Sequence, residues 1–165
     1  MFTKVNLMAG SSGATVSSMR FRRVGVGSTS DFSNVYLYKA DGTRLTSGRT
    51  ISSTDNSVTF SGLNLTLGAG ATQAVYISAD LAGSSIASTG GQHLFELADM
   101  SSVTLSGTGS VAGSFPIRGN AMTVGTASVA TVTVTDGSEP ADPRTGAQDA
   151  ELANFRLGLS GTNAD

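Results

Sequence analysis

Residues 34–43 read Asn-Val-Tyr-Leu-Tyr-Lys-Ala-Asp-Gly-Thr, and this stretch decides the class of fold. Val35 and Leu37 alternate with Tyr36 and Tyr38, so an extended strand would turn an apolar face inward and a tyrosine face outward. The Asp-Gly dipeptide that follows favours a tight hairpin turn, because these residues tolerate positive φ. The stretch therefore predicts a half-buried antiparallel strand that runs into a turn.

The same two-residue period recurs along the chain. Val75 and Ile77 alternate with Tyr76, and Val132 and Val134 alternate with threonines. Strand-like runs follow one another at the spacing of about 8–12 residues that is typical of sandwiches and barrels, while helical periodicity is scarce. We therefore predict an all-β fold, a two-sheet antiparallel β-sandwich of Ig-like or jelly-roll-like type.

The apolar positions of these strands identify a predicted core. Large residues on the inward parity of their strands should be buried between the two sheets. They are Val35, Leu37, Phe60, Leu65, Val75, Ile77, Phe95, Leu97 and Val132.

One strand-like run departs from simple alternation. Met19 and Phe21 share one parity, whereas Val24 and Val26 fall on the other. Because a one-residue slip turns every following side chain to the opposite face, a β-bulge or a crossing between sheets is predicted near the Arg-Arg pair at 22–23.

The composition is poor in charge and rich in small residues. Only 13% of the 165 residues are charged, 39% are hydrophobic, and Gly occurs 21 times. Small and hydroxylated residues suit short strands joined by many turns, a composition often found in secreted and cell-surface β-proteins. The absence of Cys and the single His leave no disulfide framework, thiolate metal site or two-histidine site within the chain.

The charge balance bears on partners. A net charge of −2 argues against nucleic-acid binding, which needs a basic stripe. The basic cluster of Arg20, Arg22 and Arg23 is predicted to be a solvated strand face. No membrane span is expected either, because no apolar run approaches the ~18 residues that a spanning helix needs.

The sequence divides into a body, a linker and a tail. Residues 1–135 carry the pattern of a β-sandwich domain, and residues 136–148 form an acidic, proline-containing linker. The tail, 149–165, resembles the start of a next repeat, because residues 5–14 and 155–164 are both an apolar-x-apolar strand that enters a Gly/Ser turn.

In the tail, Phe155, Leu157 and Leu159 alternate and predict an assembly strand. As a donor strand, it would add its backbone to the open sheet edge of a neighbour while the three side chains fill pockets there. Head-to-tail contacts of this kind build filaments unless their rotation closes a ring.

Residues that could carry catalysis are scarce. His93 shares its strand parity with Phe95 and Leu97, which predicts a sheet residue rather than a general base. Neither a nucleophile elbow nor a phosphate-binding glycine loop occurs in the sequence. We therefore expect no enzymatic activity.

Calcium is the cofactor candidate that best matches the oxygen-bearing loops. Asx turns are the alternative interpretation of the same residues, and no EF-hand spacing is present, so the sequence does not require a cofactor. The candidate calcium ligands are Asp31, Asn34, Asp136, Glu139, Asp142 and Asp149.

The tyrosines are candidate glycan-contact residues. Tyr36 and Tyr38 lie two apart on one strand face, as a stacking surface requires, and Tyr76 occupies a neighbouring strand-like run. The alternative is that these tyrosines simply cover the edges of a sheet.

Three stretches carry a resemblance to a known family: residues 34–43, the restart at 153–159, and residues 65–80, which read Leu-Thr-Leu-Gly-Ala-Gly-Ala-Thr-Gln-Ala-Val-Tyr-Ile-Ser-Ala-Asp. Through them the chain resembles the β-sandwich repeat modules of large bacterial cell-surface proteins of the surface-layer, adhesin or filament type. The resemblance implies an extracellular or cell-surface location, and a structural or adhesive role without catalytic residues. It also implies copies of the chain, or adjacent repeats of the same protein, as partners.

We therefore expect a structural, self-associating module of an extracellular filament or surface array, assembled through strand addition or tandem repeats. The alternative is a carbohydrate-binding or adhesive module that uses the tyrosine-bearing sheet face.

Overall fold

The computed structural model describes residues 1–83, 87–125 and 131–160, which fall into two compact units, Met1–Gly125 and Thr126–Asp165. The described strands of the first unit are β1 (Thr3–Met8), β2 (Ala14–Val24), β3 (Phe32–Lys39), β4 (Ser57–Leu67), β5 (Thr72–Leu81), β6 (Gln92–Leu97), β7 (Val103–Leu105), β8 (Ile117–Arg118) and β9 (Met122–Thr123). Single turns of 3-10 helix at Thr29–Asp31 and Met100–Ser102 lead into β3 and β7. The second unit contains β10 (Thr131–Asp136) and β11 (Phe155–Ser160).

The first unit is built from two antiparallel sheets. The three-stranded sheet has the order β1-β5-β3, and the larger sheet has the order β4-β2-β6-β8, with β7 also beside β2 and β9 beside β6. From β1 to β6, successive strands alternate between the two sheets, so each connection crosses from one sheet to the other. The predicted all-β antiparallel sandwich is therefore confirmed.

The core lies where the inner faces of the two sheets meet. Phe21, Phe60 and Phe95 are fully buried there. The ring of Phe2 meets the rings of Phe32 and Phe95 edge-on, at centroid distances of 5.6 and 5.1 Å. Eight of the nine predicted core residues are at most 4% exposed, which confirms the strand parities derived from alternation.

Val132 is the exception, because 63% of its surface is exposed. It lies on β10, whose only ladder among the described strands is with β11. Alternation shows which side chains share a face, but burial also needs a second layer. No second sheet covers β10 within the described part of its own unit, so the prediction that Val132 is a core residue is wrong.

The register shift in β2 also differs from the prediction. It lies between Val16 and Ser18, not near residues 22–23, and β2 stays in the larger sheet throughout. After the shift, Met19, Phe21 and Arg23 all point inward, and Arg23 is only 8% exposed. The prediction failed because it assumed that every inward position is apolar, whereas this strand ends on a buried arginine.

The predicted turn after β3 is present. Gly42 adopts a φ of +83°, and its N–H donates to the carbonyl of Lys39 at 3.1 Å. The chain then runs back beside β3, and an isolated antiparallel β-bridge pairs Arg44 with Tyr38. This turn therefore places an arginine at the outer edge of the three-stranded sheet.

The second unit is an antiparallel hairpin of β10 and β11. The division between the two units falls after Gly125, so β10 belongs to the second unit. Of the predicted linker, Asp136 ends β10, and residues 137–148 lie in the connection between the two strands of the hairpin. The sequence carries no local signal for the pairing of β10 with β11, because the two strands are separated by the long connection 137–154. Residues 126–130 of the predicted body and 161–165 of the predicted tail lie outside the described residues.

The core assignment predicts unequal effects of truncation on stability. Phe60→Ala should lower the free energy of unfolding by about 3–5 kcal/mol, because the surrounding sheets cannot fill the cavity completely. Val132→Ala, the matched truncation at an exposed strand position, should change it by no more than about 0.5 kcal/mol. Urea denaturation followed by circular dichroism measures both values, and equal losses would contradict the core described above.

Candidate functional site

The terminal hairpin, β10 and β11, carries a largely apolar face. Its register places Val132 opposite Leu159 and Val134 opposite Leu157, and at the end of the same face Phe155 lies opposite Asp136. The exposed fractions of these five residues run from 63% to 70%. The three predicted assembly residues of β11 are therefore joined on one surface by two valines from β10.

The tail is not the lone strand that the sequence suggested, because β11 pairs with β10 of the same chain. Its other edge carries no ladder among the described strands. A two-stranded hairpin is marginally stable on its own in water, and a cluster of exposed apolar side chains is unfavourable there. The hairpin thus presents both an edge and a face that a further sheet would cover.

A complementary feature lies at the edge of the three-stranded sheet. Among the described strands, β1 pairs only with β5. Gly119 packs closely against Phe2 and Thr3 at the start of β1, and the rest of that strand's second edge offers backbone groups to an added strand. A cleft of about 410 Å³ adjoins this strand, and Leu7, Val16, Leu105 and Phe115 contribute to its wall. Strand addition uses such an arrangement, because the edge binds the backbone and the cleft receives side chains.

The three predicted glycan-contact tyrosines lie together on the outer face of the three-stranded sheet. Tyr76 on β5 is paired with Tyr38 on β3 and, on its other side, with Lys4 on β1. On the side of β3 that faces away from β5, an isolated antiparallel β-bridge joins Tyr38 to Arg44. The row Lys4–Tyr76–Tyr38–Arg44 therefore crosses the sheet, and with Tyr36 it forms what we call the tyrosine platform.

Tyr36 is fixed at one corner of the platform. Its hydroxyl donates to Oδ2 of Asp80 at 2.8 Å, and its ring centroid lies 6.3 Å from that of Tyr38. The hydrogen bond to Asp80 raises the pKa of Tyr36, because ionisation would break the bond and bring two negative charges together. Arg44 lies over the Tyr36 ring, with its Cζ 5.4 Å from the centroid.

Neither cation of the platform was predicted from the sequence. Lys4 lies next to Val5 on the outward parity of β1, so strand alternation alone could have placed it on this sheet face. Arg44 had no such signal, because its position depends on the return of the chain after the turn.

A second group of polar residues is buried at one end of the sandwich. His93 is 1% exposed and Asp31 is 0% exposed, and the distance from His93 Nε2 to Asp31 Oδ2 is 2.9 Å. On the other side of the ring, Arg23 Nη1 lies 3.0 Å from His93 Nδ1. Because arginine can only donate, Nδ1 is an acceptor and the ring proton is on Nε2, facing Asp31. His93 is thus a buried sheet residue, as predicted, and it links two charged side chains.

The buried cluster holds His93 in its neutral form. Burial lowers the pKa of His93, the charge of Arg23 lowers it further, and Asp31 opposes both effects only in part. Burial would raise the pKa of Asp31, but the N–H groups of Ser88 and Ser28 donate to its carboxylate and hold the pKa below its ordinary value. The three side chains therefore form a linked Arg⁺–His⁰–Asp⁻ series, which we call the relay.

The basic cluster is only partly a solvated face. Arg22 is half-exposed and donates through Nε to Glu96 Oε1 at 2.9 Å, while Arg118 donates to Glu96 Oε2 at 2.6 Å. Arg20 pairs with Asp55 at 2.8 Å. Arg23 is buried in the relay, so the prediction of a solvated face is wrong for this residue.

The candidate calcium ligands do not form a recognisable metal site. Asp31 is buried, and its oxygens accept from the N–H groups of Ser28 and Ser88 at 3.0 and 2.9 Å. Asn34 lies on β3. Asp136, Glu139, Asp142 and Asp149 are exposed at the end of β10 and in the connection that follows it. Across the described ranges, no three acidic or histidine side chains are grouped to hold a metal ion. Calcium binding stays a prediction from the sequence.

Comparison of the chain with family models, with curated proteins and with solved structures finds no match. The resemblance to cell-surface repeat modules therefore stays a prediction. No helix within the described ranges is long and apolar enough to cross a membrane.

The relay predicts acid sensitivity that depends on one residue. A histidine whose pKa is lowered on folding contributes stability above its unfolded pKa, near 6.5, and this contribution is lost as pH falls. Between pH 7 and pH 5 the free energy of unfolding should decrease by at most about 1.4 kcal/mol per pH unit. The amide of glutamine can accept from Arg23 and donate to Asp31. In His93→Gln, the slope of the free energy of unfolding against pH should therefore disappear.

Chemical denaturation at several pH values measures the slope. His93 is the only histidine, so no other side chain of ordinary pKa titrates in this window. An unchanged slope in His93→Gln would show that the buried ring is not its source.

Proposed function

We propose that this chain is a structural, self-associating module of an extracellular filament or surface array. The observation that carries the proposal is the apolar face of the terminal hairpin, on which five large side chains are each at least 63% exposed. The surface that receives this hairpin is the edge of β1 in a second copy, which adjoins an apolar cleft.

The free energy of this contact favours strand addition over simple stacking of apolar faces. Burying the exposed part of five large side chains supplies on the order of 5–10 kcal/mol. The loss of translational and rotational freedom on association costs a similar amount. Backbone hydrogen bonds between β11 and β1 would add to the gain, and linkage of modules in one chain would reduce the cost by raising the effective concentration.

The restart of the sequence supports the same geometry. Residues 155–164 repeat the strand-and-turn pattern of residues 5–14, and β1 already lies at a sheet edge. A contact between different surfaces of two copies is head-to-tail, so it propagates into a filament unless its rotation closes a ring. The resemblance to modules of bacterial surface proteins and the low charge content favour the cell surface as the location of such an array.

A pair of charge substitutions in the full chain tests the proposal. Leu157→Asp places a carboxylate in the centre of the apolar face, and it should weaken self-association at least tenfold because that charge would lose its hydration in the interface. Thr133→Asp introduces the same charge on the opposite face of the same hairpin and serves as the matched control. It should leave self-association within about threefold of the wild-type value.

Sedimentation velocity over a range of concentrations measures the association, and negative-stain images show whether filaments form. Circular dichroism of each variant checks that the sandwich is folded. The proposal fails if the wild-type chain stays monomeric at millimolar concentration, or if the two variants associate equally well.

A further inference from the structure

We propose that the tyrosine platform binds an anionic polysaccharide, a polymer that contains uronic acid sugars. This activity is distinct from self-association, because the three tyrosines and Arg44 of the platform are not part of β1 or of the hairpin. Lys4 does lie on β1, the proposed acceptor strand, but the platform uses its outward side chain and not the backbone groups of the strand edge. Three features of the platform favour such a ligand: its elongated shape, its aromatic centre and the two cations at its ends.

The shape fits a polymer. Lys4, Tyr76, Tyr38 and Arg44 follow one another across neighbouring strands in a single row. At about 4.8 Å per strand, the row is roughly 14 Å long. A flat, elongated surface contacts several consecutive sugar units, whereas a small ligand would need a concave pocket to bury most of its surface.

The centre of the platform supplies apolar contact with polar edges. Tyr38 and Tyr76 are cross-strand neighbours, and both are half-buried on the outer sheet face. A tyrosine ring offers an apolar face to the C–H face of a sugar, and its hydroxyl can bond to the sugar hydroxyls. Because both rings are partly buried on paired strands, they lose less conformational freedom when a ligand binds, which lowers the entropy cost of association.

The ends of the platform select for negative charge. Lys4 and Arg44 are exposed, and neither forms a salt bridge with a carboxylate in the described part of the chain. Each lies instead over a tyrosine ring, with Lys4 Nζ 5.8 Å from the Tyr76 centroid. A cation held only by a ring face and water can still pair with a ligand carboxylate, and the guanidinium group matches that carboxylate in two parallel hydrogen bonds.

The acidic residue nearby does not oppose this selection. Asp80 accepts the hydroxyl of Tyr36 at the corner of the platform, outside the row. Because the whole chain carries a net charge of −2, a polyanion is not attracted by the protein as a whole. Binding would therefore depend on the local cations, which makes it sensitive to single substitutions.

Binding of polygalacturonate oligomers to the full chain, measured by isothermal titration calorimetry, tests the proposal. Neutral galactan oligomers of the same length are the comparison ligand. Tyr38→Ala with Tyr76→Ala should weaken polygalacturonate binding by roughly tenfold or more, and Arg44→Ala by a smaller factor that shrinks as salt is added. Arg144→Ala removes the same charge from an exposed position of the second unit and should leave binding unchanged.

Circular dichroism of each variant separates loss of the platform from loss of the fold, and Arg44→Ala provides a test even if the double tyrosine variant does not fold. The proposal is supported if the wild-type chain binds the acidic oligomer in preference to the neutral one and Arg44→Ala binds more weakly than Arg144→Ala. It is overturned if the wild-type chain binds no polygalacturonate at millimolar concentration, if it binds both oligomers equally, or if Arg44→Ala and Arg144→Ala bind alike.

Discussion

The contact between the inner faces of two sheets holds the first unit together. Strands β1 to β6 alternate between the sheets, so each crossing brings new apolar side chains to a common core around Phe21, Phe60 and Phe95. Every ladder among these six strands joins segments that are not consecutive in sequence. Because the inner faces are committed to packing, only the outer faces and the edges are available for binding.

The Arg⁺–His⁰–Asp⁻ relay also joins the two sheets, at one end of the sandwich. Asp31 precedes β3 in the three-stranded sheet, while Arg23 and His93 lie on β2 and β6 of the larger sheet. The chain passes so close to the relay that a Cβ on Gly27 would lie 2.7 Å from Nε2 of His93, which only glycine avoids. The hydrogen bonds of this buried cluster, from Arg23 to His93 and from Ser28 and Ser88 to Asp31, hold these segments in one relative position.

The two proposed binding surfaces differ in their physical chemistry. The hairpin face is largely apolar and exposed, and no second layer covers it in the described part of its unit. Its contact with water is therefore unfavourable in free energy. The tyrosines of the tyrosine platform are half-buried and its two cations are exposed, so the surface is stable in water and suited to a solvated polymer. A module with both surfaces could join its neighbours through one and hold a charged matrix through the other.

The sequence by itself determined the class of fold and most of the core, because alternation of apolar and polar residues reports directly on strands that have one buried face. It also placed Tyr36 and Tyr38 on one outward face, since they lie two apart on a single strand. Only the tertiary structure decided what depends on pairing between distant segments. It paired β11 with β10, brought Tyr76 and Arg44 to opposite sides of Tyr38, and buried Arg23 beside His93. Local pattern identifies the face of a strand, but the partner strand and the covering layer are set by contacts far apart in sequence, and these carry no local periodicity.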